Sequence, residues 1–228
     1  MQIMEKLKVN KRGGFEESFN VEKINKVLLW ATENVSDVSA SDIGMNANLQ
    51  IYDGITSDEI HKVLISSCVD LISEETPNYE IVGGKLLTLF LRKLVFNTFR
   101  DLPSLESHIH SMVESKWYHK DLKDKYDTKD YDYIDKHIIN HDKDWTYTYA
   151  SVRQMSDKYH IKDRTTDKIF ETPQYMYITI AMSVCADIED KKLRLQEIKS
   201  KYNDYSDFKI SLSTPVVSGI RTNTTQYS

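Results

Sequence analysis

Apolar positions along the first hundred residues change period several times. Leu7 and Val9 alternate with polar partners in KLKVNKR (6–12), and Phe15, Glu17 and Phe19 alternate in FEESF (15–19) after Gly13-Gly14. Two alternating runs about a Gly-Gly turn predict a β-hairpin. Asn20 is placed to cap a helix that carries Val21, Ile24, Val27, Leu28 and Ala31 on one face and ends near Asn34. The polar stretch Val35 to Met45 reads as loop, and LQIY (49–52) as a short strand. Thr56 and Glu59 have the spacing of a capping box, ahead of a stripe made by Ile60, Val63, Leu64, Ser67, Cys68 and Leu71. Thr76-Pro77 opens a third helix, apolar on more than one side and therefore central, that runs to about Phe99.

Asp101-Leu102-Pro103 marks a change of character and the best domain boundary. Beyond it the chain is helical and rich in Tyr: LESHIHSMVESKWY, DYIDKHIIN and DWTYTYASVRQMSDKY. A hairpin-like piece follows around 160–173, and then two helices, QYMYITIAMSVCAD and KKLRLQEIKSKYNDYSD. The last stretch, KISLSTPVVSGIRTNTTQYS, has β-branched residues and many hydroxyls and predicts extended chain entering a larger core. The expectation is a mainly α (α+β) chain, with a compact α+β domain over 1–98 and a helical region over 99–228.

Composition narrows the function classes. Only 7 Gly and 4 Pro occur in 228 residues, so long flexible linkers are not expected. A formal net charge of −5 argues against a broad nucleic-acid-binding face, which needs a local excess of Lys and Arg. No run of about 18 apolar residues is present to span a membrane, and MQIMEKLKVNKRGG has no apolar signal core; the expected location is cytoplasmic. Cys68 and Cys185 sit in apolar helical surroundings, form no CxxC pair and have no metal-ligand spacing, so both read as small buried hydrophobes.

The candidate chemistry is a set of cations near predicted helix starts. Lys11 and Arg12 end the first strand, Lys23 lies in the first turn of the first helix, and Lys93 stands beside Arg92 near the end of the third. A nucleoside triphosphate needs several converging cations and backbone N–H groups from a helix start. Spacing alone leaves these as solvated surface lysines.

The stretch VNKRGGFEESFNVEKI (9–24) resembles the opening of the ATP-cone domain. YDGITSDEIH (52–61) and NYEIVGGKLLTLFLRK (78–93) follow in the family's order and spacing. The resemblance implies a small helical bundle capped by a short β-sheet that binds ATP as activator and often dATP as inhibitor. Carried over by motif, the effector site comprises Lys11, Arg12, Glu17, Ser18, Phe19, Asn20, Val21, Glu22, Lys23, Ser57 and Lys93. Ser57 stands where the family usually has Thr, and keeps the hydroxyl. Phe90 stands where relatives that sense dATP can have His.

The remainder, HDKDWTYTYASVRQMSDKYHIKDRTTDKIFETPQYMYITIAM and the terminal KISLSTPVVSGIRTNTTQYS, resembles the helical region of class I ribonucleotide reductase large subunits, up to the substrate loop that enters the ten-stranded α/β barrel. Asp167 sits where Gly is common, and Ser213 and Asn223 replace Pro. The resemblance implies that Thr214 and Ser228 contact a ribonucleoside diphosphate substrate, and that the active-site cysteine would follow Ser228. The radical and redox cysteines of the family match neither Cys68 nor Cys185, so no catalytic residue and no metal site is expected here. The expected partners are a second polypeptide carrying the rest of the large subunit, of a split or truncated chain, and a diiron small subunit. The initial Met1 supports a genuine N-terminus.

Other features read as structural. The 14 tyrosines fall in half-buried helical patterns that suit core packing, and His141, Asp142 and Asp144 suit a solvated helix start more than a metal site. The competing class of function is a stand-alone ATP-cone sensor; such a regulator would carry a DNA-binding module, such as a zinc ribbon of four cysteines, and would have no use for the tail around Thr214.

Overall fold

The computed structural model describes residues 7–223. They form two compact units. One consists of the residues up to Phe90 together with Trp145–Arg153, the other of Leu91–Asp144 together with the residues from Gln154 onward, so neither is one continuous stretch of chain.

In the first unit, strands β1 (Lys8–Asn10) and β2 (Glu16–Ser18) pair antiparallel with Val9 opposite Glu17. The turn is closed by Lys11 and Phe15: the Lys11 N–H donates to the Phe15 carbonyl at 2.9 Å, and Gly14 adopts a φ of 78°, which glycine enters without steric cost. A third strand, β3 (Ile55–Thr56), lies parallel to β1 in the order β2-β1-β3. The predicted strand at 49–52 does not form; pairing falls three residues later, where Asp53 and Gly54 bond the backbone of Lys8. Helix α1 (Val21–Thr32) starts at its expected cap: the Asn20 side chain accepts from the N–H groups of Glu22 and Lys23. It buries Ile24, Leu28 and Ala31, whereas Val21 stays exposed. The expected loop at 35–45 is instead largely helix α2 (Ala40–Asn48), capped by Ser39 and held by buried Ile43 and Ala47. Two apolar residues one turn apart give too thin a stripe to show through a polar sequence.

Helix α3 (Ser57–Val69) begins with the full capping box between Thr56 and Glu59. Helix α4 (Tyr79–Phe96) begins two residues after Pro77, which sits in a preceding turn. Gly84 lets the 145–153 segment approach closely: a Cβ there would lie 1.9 Å from the Tyr147 carbonyl oxygen.

The second unit is helical: α5 (Leu105–Glu114), α6 (Asp121–Asp124), α7 (Thr128–His137), a 3₁₀ turn (His141–Thr146) whose last residues pass into the first unit, α8 (Tyr149–Gln154) entering from it, a π-helical turn (Met155–Tyr159), α9 (Pro173–Cys185), α10 (Lys191–Ser206) and α11 (Thr214–Gly219). Strands β4 (Lys162–Asp163) and β5 (Lys168–Ile169) make the predicted hairpin. Helix α9 is buried on nearly every side, which fits its unbroken apolar sequence, and it packs against α10. Tyr118, Tyr126, Tyr131, Tyr175, Tyr177, Tyr202 and Tyr205 are buried in this unit, as the packing interpretation of the tyrosines expected.

Two further expectations are corrected. Asp144 is not a solvated helix-start acid: it is fully buried and accepts from Arg92 Nη2 at 2.8 Å and from Gln174 Nε2 at 3.0 Å. The residues after Lys209 are not extended throughout, because Pro215 in the first turn supports the short helix α11, where φ near −65° is already set.

Candidate functional site

The turn of the β1–β2 hairpin and the starts of α1 and α3 bring most of the expected effector residues together. Glu17 on β2 is the hub. Its carboxylate pairs with Lys11 at 3.4 Å and with Lys23, one turn into α1. The Lys23 hydrogen bond, then the Lys11 charge, hold the Glu17 carboxyl below its ordinary value, so it stays ionised at neutral pH. Arg12, in the turn, donates to Asp58 in the first turn of α3 at 2.6 Å. The Ser57 hydroxyl donates to the Asn10 carbonyl at 3.4 Å, and the Asn10 amide donates to the Gly54 carbonyl at 2.8 Å, so the end of β1 is tied to the start of α3.

This donor set suits a polyphosphate. Two ammonium groups and one guanidinium gather where the hairpin turn meets the starts of two capped helices. Ser18 and Glu22 are exposed and Phe19 is half-buried, its N–H donating to the Leu7 carbonyl at 2.8 Å. Lys93 falls in the second unit, in the last turn of α4, with its amine 5.6 Å from the centre of the Phe99 ring. One residue escaped the sequence argument: His61 lies one turn after Ser57 on α3 and stacks on the buried Phe90 ring, 5.4 Å between centroids.

Within the second unit, Thr214 is exposed at the start of α11, and Ser228 lies outside the described residues. The helix is anchored by Arg221, just past its end. Arg221 Nε donates to Glu171 Oε2 at 3.2 Å and Nη2 to the Tyr159 carbonyl at 2.9 Å. Glu171 also accepts from Tyr118 and from the Ile161 N–H, both at 2.7 Å.

Among the described residues no group of three His, Cys, Asp or Glu side chains is arranged to hold a metal ion. Both cysteines are buried free thiols; burial pushes Cys68 up to about 12 and raises Cys185. No described helix is long and apolar enough to cross a membrane.

Residues 7–94 match the ATP cone domain family, and residues 146–225 match the ribonucleotide reductase all-alpha domain. The ribonucleoside-diphosphate reductase 1 subunit alpha of Escherichia coli is 38% identical over 222 residues, 97% of this chain and 29% of that protein. Along nearly its whole length the chain is similar to ribonucleotide reductase large subunits. The alpha subunit of Haemophilus influenzae ribonucleoside-diphosphate reductase is 36% identical over 97% of this chain, and that of Enterobacteria phage T4 is 34% identical over 99%. In each case the chain spans 29% of the length of the reductase subunit it matches. The hairpin, α1 to α3 and all but the last two residues of α4 fall inside the ATP-cone match, and α9 to α11 inside the all-alpha match.

Proposed function

We propose that this chain supplies the effector-binding and substrate-approach part of a ribonucleoside-diphosphate reductase large subunit. Its ATP cone, placed at residues 1–98, binds ATP or dATP as an allosteric effector through Lys11, Arg12, Glu17 to Lys23 and Ser57. The observation that carries this is the convergence of Lys11, Lys23 and Glu17 at the start of α1, within a segment that matches the ATP cone. Lys93 joins the set by resemblance. The helical region, 99–228, brings Thr214 and Ser228 to a ribonucleoside diphosphate.

Ribose reduction in this family needs a thiyl radical and a dithiol, and the buried, protonated Cys68 and Cys185 fit neither role. The chemistry therefore falls to a polypeptide carrying the rest of the large subunit, with the radical supplied by a diiron small subunit. Calorimetry tests the effector site: ATP binds the wild-type chain, and Lys93→Ala binds about 10-fold or more weakly, as expected for loss of one charge-assisted contact. Equal affinities would remove Lys93 from the site. Turnover of a ribonucleoside diphosphate by this chain alone would overturn the division of labour.

A further inference from the structure

The segment Trp145–Arg153 folds as part of the first unit, although the chain on both sides of it, Asp144 and Gln154, belongs to the second. By sequence it lies in the all-alpha match from residue 146 onward, well beyond the cone match that ends at 94. Its seat is specific. Gly83 and Gly84 on α4 leave a bare strip of backbone for it: the Tyr149 Cβ lies 3.2 Å from where a Cβ on Gly83 would stand, and the Tyr147 carbonyl fills the space over Gly84. Glu80, one turn earlier on α4, accepts from the Ala150 N–H at 3.2 Å. Trp145 meets Trp30 of α1 edge to face, with 5.0 Å between ring centroids.

The elements that hold this segment also carry the effector residues. Helix α1 has Lys23 in its first turn and Trp30 two turns later, a separation of about 10 Å along one stiff helix. At its far end the Glu33 carbonyl accepts from Lys85 Nζ at 3.0 Å, which ties α1 to α4. A cavity of about 360 Å³ lies between the chain after α1, Ile81 and Lys85 of α4, and Trp145 and Thr146. The segment is therefore seated backbone on backbone at Tyr147–Ala150, with open space beside its first two residues. Close-packed seats of this kind are made or lost as a whole rather than stretched.

We propose that residues 145–153 form a strap whose closure is coupled to nucleotide in the cone. Nucleotide on Lys11 and Lys23 fixes α1, α1 holds Trp30 against Trp145, and the closed strap in turn favours the nucleotide-bound cone. This rests on the effector assignment above and adds to it an element, continuous at both ends with the second unit, that both states bias. Such coupling is reciprocal: the factor by which nucleotide tightens the strap is the factor by which the strap tightens nucleotide.

Hydrogen exchange of the full chain, with and without saturating ATP, reads the strap directly. The Ala150, Ser151 and Val152 amides donate to Glu80 and Thr148; with ATP they should exchange about 5-fold or more slowly, while the amides of α10 keep their rate. Calorimetry reads the converse. Trp145→Ala and Glu80→Ala lie outside the effector set, and each should weaken ATP binding about 5-fold. Ile43→Val, which trims the buried face of α2, should leave the affinity unchanged. Strap amides indifferent to ATP, in a chain that binds it, would overturn the strap and leave the effector site standing. Absence of ATP binding by the wild-type chain would remove both. Equal weakening by Ile43→Val would make the strap ordinary packing and overturn the coupling.

Discussion

Arg221 and Glu171 lie 50 residues apart in sequence and form an ion pair with no solvent exposure on either side chain. Burial alone would push the Glu171 carboxyl up, but the Arg221 guanidinium outweighs it and holds the group below its ordinary value. The pair fastens the chain after α11 to the turn that follows the β4–β5 hairpin, and so fixes the helix that starts at Thr214. Removing one partner strands a buried charge. Arg221→Met should therefore destabilise the chain by about 3–5 kcal/mol in urea unfolding, and the double variant Arg221→Met/Glu171→Met by clearly less. A single variant as stable as wild type would show that the pair does not hold α11.

Lys11 and Lys23 share Glu17, whereas Lys8 pairs with Glu16 at 2.9 Å on the outer part of the hairpin. Lys11→Ala or Lys23→Ala should weaken ATP binding about 10-fold or more, and Lys8→Ala should leave it unchanged. Equal losses at all three positions would mean that the hairpin acts only through its overall charge.

Phe90 is buried against His61 and offers no hydrogen-bond donor or acceptor. The assembled enzyme should bind dATP without strong inhibition, and Phe90→His should gain inhibition. An activity titration in which the wild-type assembly stops at low dATP would refute this.

Gly84 has no room for a side chain: an added Cβ would meet backbone atoms of Tyr147 and Thr148 at 1.9 and 2.9 Å. Backbone cannot rotate aside as a side chain can, so Gly84→Ala should cost at least the roughly 1–3 kcal/mol of ordinary overpacking. At Gly83 the nearest atom is the Tyr149 Cβ at 3.2 Å, and Gly83→Ala should be milder. Thermal denaturation of the two variants decides the order.

Burial holds His108 and His141 down to about 4, against an ordinary 6.5. Between those values the unfolded chain takes up protons that the folded chain refuses. Stability is therefore full above pH 6.5 and falls as pH drops toward 4, by up to about 3 kcal/mol for each ring. Urea midpoints measured from pH 7.5 to 4.5 should show the decline, and His141→Phe should flatten it. An identical slope in the variant would assign the decline to other groups.

Local signals carried much of this structure. The Gly-Gly turn, the Asn20 cap and the Thr56–Glu59 box are short-range chemistry, and each stands where the sequence put it. The misses share a cause. Helix α2 is held by only Ile43 and Ala47, the partner of β1 was decided by backbone bonds from Lys8 to Asp53 and Gly54, and Asp144 was buried by an arginine 52 residues away. None of these leaves a periodic trace. His61 was passed over because stacking on Phe90 depends on two helices meeting, which spacing along one of them does not reveal.

The sealed thiols have a practical consequence. With Cys68 and Cys185 both buried and kept protonated, alkylating reagents at neutral pH should pass over the native chain. A cysteine introduced at the exposed position 214 would then be the fast-reacting handle. A fluorophore or spin label placed there would report what approaches α11, against a silent background and without first stripping the protein of its own sulfur.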